Sequence, residues 1–161
     1  MGSRRQRATT PRALQVANLV LAALLTGHEL GTLGVLHPAL QNLPYADEVA
    51  GEKLVARRLG LAMPPLMTAT VTTGVAATVA LNGRERTLIG AGTTAYAVML
   101  ALTLAGNVPI NARTLRWDVT ADDPSDWRQL RRRWDRLHTL RIGLDLGGLA
   151  TLAAATLRVR R

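Results

Sequence analysis

The residues able to do chemistry are few and unevenly placed. All three histidines, His28, His37 and His138, fall in or beside apolar stretches, and His28 is followed directly by Glu29. Trp127, Arg131, Trp134, His138, Arg141 and Asp145 step by three or four residues, the spacing that lines side chains along one face of a helix. Such a face makes one wall of a polar cavity. Arg141 and Asp145 lie inside an apolar segment, where a charge is costly unless paired. Four residues apart, they are expected to pair with each other. Arg141 also offers a planar guanidinium, suited to a two-point contact with an enolate, phenolate or carboxylate.

Asn107 and Asn111 flank Val108-Pro109-Ile110. The proline removes a backbone donor, so two readings stand side by side. Either the amides repair and cap the broken helix, or they bind a substrate carbonyl or hydroxyl. His28 and Glu29, in an apolar helix, are expected to border the same cavity. His37, before Pro38, reads as a helix-end residue. Arg57, Arg58, Trp127 and Trp134 are candidate substrate contacts. Arg132, Arg133, Arg136 and Trp117 read as headgroup anchors and interfacial-belt residues. A metal is a further alternative, with His28, Glu29 (or His37) and His138 as nitrogen and oxygen ligands to iron or copper.

The elements that must position these residues are four apolar segments, roughly 13–36, 59–81, 88–106 and 137–157. Each is near the roughly 20 residues needed to cross hydrocarbon. Hydrophobic residues make up 48% of the 161 residues, yet the net charge is +9, so apolar and basic residues must be segregated. The expectation is an all-α, integral membrane four-helix transmembrane bundle. It forms a single domain, 1–161, with helices about 13–40, 54–81, 86–108 and 128–158. A soluble bundle would carry charges along one face of every helix; 59–81 and 88–106 carry none. The long polar stretch, about 107–136, is expected to connect the last two helices and to hold a short surface helix. Gly31, Gly34, Gly74, Gly90, Gly92, Gly143, Gly147 and Gly148 would let helices approach closely. No internal repeat is evident.

Arg4, Arg5 and Arg7 before an apolar run resemble a signal peptide, but no small-residue cleavage site follows, so an uncleaved first helix is expected. Those arginines, with Arg12, Arg84, Arg86, Arg158, Arg160 and Arg161, share one side, which places the termini in the cytoplasm of a bacterial inner membrane. With no cysteine, disulfides and thiolate chemistry are excluded. The bilayer, and not nucleic acid, is the expected partner of the basic residues, since no nucleic-acid-binding signature accompanies them. Walker, Rossmann and Gly-x-Ser-x-Gly patterns are absent.

The run Asn107-Val-Pro-Ile-Asn111, then Trp127, then Trp134-Asp-Arg-Leu-His138-Thr-Leu-Arg141, resembles the anthrone oxygenase-like membrane proteins. The resemblance covers about a third of the chain. It implies a small membrane oxygenase acting on an electron-rich, hydrophobic or aromatic small molecule, with Asn107, Asn111, Trp134, His138 and Arg141 as site residues. On that reading His138 is the base that forms a substrate anion, Arg141 and the asparagines stabilise it, and dioxygen reacts with it without a cofactor. The alternatives are a metal-dependent oxygenase and a non-enzymatic membrane carrier or assembly partner.

Overall fold

The structure is a computed structural model that describes residues 2–157, with side chains from Pro11 onward. The charge cluster at Arg4, Arg5 and Arg7 and the one at Arg158, Arg160 and Arg161 lie outside the described side chains. All elements among the described residues are helical. The first rod is α1 (Gly2–Gly31), a π turn (Thr32–Leu36) and α2 (His37–Gln41). The second is α3 (Tyr45–Ala80). The third is α4 (Gly83–Leu102), a π turn (Thr103–Asn107) and α5 (Val108–Arg116), and the fourth is α6 (Pro124–Thr156).

The rods pack as an antiparallel square. Asn18 Nδ2 donates to the Thr70 carbonyl at 2.7 Å, Arg12 donates to the Thr156 carbonyl, and Thr26 Oγ1 lies 2.7 Å from the Tyr96 hydroxyl. These bonds tie the first rod to the other three. Threonines within the apolar helices bond their own preceding turn, as Thr70 does to the Leu66 carbonyl and Thr93 to that of Ile89, both at 2.8 Å. Hydroxyls satisfied in this way need no water. The main core gathers Ala22, Leu25, Ile89, Tyr96, Met99 and Leu152; a smaller cluster of Val49, Trp117 and Trp127 closes the other end.

Pro11–Gln41, Tyr45–Ala80 and Gly83–Arg116 are long and apolar enough to cross a membrane. Helix α6 has the length, but Arg141 and Asp145 dilute its apolar stretch and it is not among them.

Four expectations need correction. The polar stretch about 107–136 is not a long connection: α5 runs to Arg116 and α6 starts at Pro124. Its polar residues extend two helices instead of forming a separate surface helix. Second, close approach uses only some glycines. A Cβ on Gly74 would lie 2.4 Å from Thr93 Oγ1, one on Gly92 2.7 Å from Leu152 Cγ and one on Gly148 2.9 Å from Tyr96 Cε2, whereas Gly31, Gly34, Gly143 and Gly147 face open space. Third, Trp117 does not face outward as an anchor. It is buried edge-on against Trp127 and donates to the Tyr45 hydroxyl at 2.9 Å.

Fourth, a repeat does exist. Thr32-Leu33 and Thr103-Leu104 are each followed, at the same spacing, by Pro38 and Pro109. Neither proline can donate to the carbonyl four residues back. In both rods the turn before it widens, and His37 N–H reaches the Thr32 carbonyl and Val108 N–H that of Thr103.

The true connection, Trp117–Asp123, is held by carboxylates. Asp118 accepts from the Thr120 hydroxyl and amide, Asp122 from the Asp118 amide and Arg113, and Asp123 caps α6 by accepting from Ser125 N–H at 2.7 Å. Each bond favours the ionised form and holds its carboxyl below the ordinary aspartate value of 3.8.

Because these pKa values are depressed in the folded state, their stabilisation is present above that ordinary value and is lost as pH falls through the lowered ones. Amide exchange at Asp118, Thr120 and Ser125 is therefore expected to accelerate as pH drops below about 3.8, beyond the change that acid itself imposes on exchange elsewhere in the bundle. In the packed region, Gly92→Val must displace Leu152 and is expected to cost about 1–3 kcal/mol, read as a lowered Tm in detergent. Gly143→Ala, with open space around it, should leave Tm unchanged or raised.

Candidate functional site

Helix α6 presents Trp127, Arg131, Trp134, His138, Arg141 and Asp145 inward, and all six are buried. The geometry around them resolves into two buried groups of the same composition, one Glu, one His and one Arg. In the first, Glu29 of α1 meets Arg141 at 2.5 Å through Oε1, and its Oε2 lies 3.0 Å from His138 Nδ1. His138 Nε2 lies 3.1 Å from the backbone carbonyl of Glu29. Both ring nitrogens thus face acceptors on one residue. Oε2 and Nδ1 are close but poorly aligned, and neither has a well-directed hydrogen-bond partner.

The second group is His37, Glu52 and Arg131. His37 Nδ1 and Glu52 Oε1 are 2.6 Å apart, and Arg131 reaches Glu52 Oε2 at 3.1 Å. Arg131 also lies 3.0 Å from His37 Nδ1. That nitrogen cannot donate to Glu52 and accept from Arg131 at once, and the shorter contact identifies Glu52 as its partner. His37 is therefore no mere helix-end residue. Trp134 stands between the groups, 4.3 Å from the His37 ring and stacked at 4.5 Å on His138. Arg131 sits 4.9 Å over the Trp134 ring, whose Nε1 donates to Asn111 Oδ1 at 2.9 Å.

Next to the first group is a cavity of about 130 Å³. His28, Glu29, Asn107, Asn111, Trp134, His138 and Arg141 all border it. Its remaining walls are largely apolar. Asn107 is the informative member: it ends the second π turn, is 1% exposed, and neither its oxygen nor its nitrogen has a protein partner. It neither caps nor repairs the helix break, because no side-chain cap bond forms there. A buried amide left without partners implies a ligand or water to satisfy it.

Some expected site residues lie elsewhere. Arg57 and Arg58 are exposed on the outside of α3 and do not line the cavity. Trp127 belongs to the Val49–Trp117 cluster and donates to Glu48 at 2.9 Å. Asp145 does not pair with Arg141, which is taken by Glu29; its carboxylate is fully buried with no hydrogen-bond partner. Sequence reasoning missed Glu52 and the α3 wall, Met63, Pro64 and Met67. The available signal was the Pro64-Pro65 pair inside the uncharged stretch 59–81, which strips the Gly60 and Leu61 carbonyls of their donors.

An iron or copper site at His28, Glu29 and His138 does not fit this geometry. Among the described residues no three His, Asp or Glu side chains converge to hold a metal. Glu29 is taken by Arg141 and both ring nitrogens of His138 face Glu29, while His28 Nε2 turns toward Thr32 Oγ1 at 3.5 Å.

No curated protein and no solved structure matches the chain. Residues 52–151 match the anthrone oxygenase family. That range covers well over half of the chain. It includes Asn107, Asn111, Trp134, His138 and Arg141, and leaves His28 and Glu29 to the flanking first rod. With three walls of the cavity inside the matched range, the chain belongs to the anthrone oxygenase family.

Proposed function

We propose that the protein is a membrane-embedded oxygenase that ionises an electron-rich aromatic small molecule in this cavity and lets the anion react with dioxygen. The single observation carrying the reading is a buried carboxylate, Glu29, beside an unpartnered buried amide, Asn107, in an otherwise apolar cavity. One is suited to remove a proton and the other to bind the charge or oxygen that results. Membership of the anthrone oxygenase family supports the reaction class.

The geometry favours a different division of labour from the one the sequence suggests. His138 has both nitrogens turned to Glu29, so it positions that residue and does not face substrate as a free base. Glu29 Oε2, which lacks a well-directed donor, is the base. It takes a proton from a methylene flanked by aromatic rings. Asn107 and Arg141 stabilise the resulting enolate, and its carbon adds dioxygen to give a hydroperoxide after protonation. Loss of water then leaves a ketone, so one methylene and one dioxygen yield one carbonyl and one water.

In this reading α6 is the fourth span. Its length suffices, and its Arg141 charge is neutralised by Glu29. The two termini lie on the cytoplasmic face of a bacterial inner membrane, supported by Arg12, Arg84 and Arg86 at that end.

With an anthrone in lipid nanodiscs, dioxygen uptake should match ketone formation, and active protein should contain no stoichiometric iron or copper. Glu29→Gln is expected to lower kcat by about 100-fold or more, and Asn107→Leu by about tenfold or more. Folded Glu29→Gln protein that turns over at the wild-type rate would sink this assignment of the base. Accumulation of the anthrone without product would favour a carrier.

A further inference from the structure

The cavity beside Glu29 does not end inside the bundle. Gly60 and Pro64 of α3, Leu104 of the second π turn and Val108 of α5 line it and also lie on the outer surface. Leu104 is 60% and Val108 46% exposed. Residues that face both the cavity and the exterior, on two neighbouring rods, mark an opening between those rods. The rim carries no charged side chain, and a Cβ built on Gly60 meets nothing within 4 Å.

The depth of this opening follows from helix geometry. At about 1.5 Å per residue, Gly60 and Pro64 lie about 3 and 9 Å along α3 from exposed Arg58, and Val108 about 8 Å from exposed Arg113. The gap therefore sits just inside exposed Arg57 and Arg58 on α3, with Arg113, paired with Asp122, beyond it on α5. Arginines of that kind reach to lipid phosphates, which puts the rim at the outer margin of the hydrocarbon. The cavity volume, about 130 Å³, is close to the roughly 150 Å³ that accommodates a single benzene ring. A fused polycyclic molecule is larger than this volume and would extend from the cavity into the gap.

We infer that the cavity opens sideways into the bilayer between α3 and the α4–α5 rod, and that flat, uncharged polycyclic aromatic molecules dissolved in the membrane reach Glu29 through the gap between Gly60 and Leu104. The inference rests on the membrane reading and substrate class proposed above. A route through the lipid needs no water-filled passage. It explains why Arg57 and Arg58 lie outside the cavity: they mark the level of the gap and do not touch what passes through it.

The chain has no cysteine, so a single thiol reports on one position. A nitroxide on Leu104→Cys in phosphatidylcholine nanodiscs should collide with dioxygen more than with a water-soluble nickel chelate, as should one on lipid-side Val79→Cys, with Asn42→Cys showing the reverse. Gly60→Leu should slow association of 9,10-anthraquinone, followed by tryptophan quenching, about tenfold, with Gly147→Leu binding at the wild-type rate. Gly60→Leu fills open space and is expected to fold. Nickel reaching Leu104→Cys as readily as Asn42→Cys, anthraquinone failing to bind wild-type protein, or Gly60→Leu binding at the wild-type rate would each overturn the inference. Slowed binding in Gly60→Leu together with absence of turnover in the wild type would sink the oxygenase reading and leave the lateral opening standing.

Discussion

A carboxylate and a guanidinium buried in an apolar bundle must find each other, because neither can be left ionised and alone without a cost of several kcal/mol. Glu29 and Arg141 meet across the first and fourth rods, 112 residues apart in the chain. That contact fixes how deep α6 sits against α1, and with it the height of His138 and Trp134. Other contacts between these rods, Arg12 to the Thr156 carbonyl at one end and Gln41 to Asp135 toward the other, keep the same antiparallel register. The cavity lies where it does because the ion pair holds two of its walls.

The second Glu–His–Arg group extends this logic along the bundle. Trp134 is pressed between the two imidazoles, beneath Arg131, and is tethered through its indole nitrogen to Asn111. Its ring plane is thereby set from three rods at once. A stacked ring held this way keeps His138 from rotating off Glu29, so a group that never touches the cavity constrains one that does. Beyond it, Trp117 and Trp127 cover the end, and the aspartates of the short connection keep α5 and α6 joined.

Much of this was legible in the residues. The inward face of α6 was plain because a period of three to four residues survives within one helix, and the three other apolar rods because they carry no charge over long spans. The convergence of His28, Glu29, Asn107 and His138 at one end followed from laying the rods antiparallel. Pairings were not legible. Arg141 chose Glu29 over Asp145, and His37 and Arg131 both chose Glu52, because partners across rods are set by helix rotation, which local spacing does not encode. The short connection was hidden for a related reason: polar residues in Asn107–Arg136 look like a loop, yet Arg113, Arg128 and Arg132 are simply the exposed face of helices that project past the apolar part.

The two widened turns carry a further consequence. A bond that spans five residues encloses one residue more than the usual four, so everything beyond each π turn is rotated by about 100° relative to an uninterrupted helix. The first rod thus turns Glu29 toward Arg141 and His37 toward Glu52 with two differently phased surfaces of one continuous helix. Chain length and facing direction are uncoupled at these points. Loss of one residue from Thr103–Asn107 would leave the rod nearly as long while swinging α5 away from its neighbours. A single-codon deletion there would act as a rotation, not a shortening.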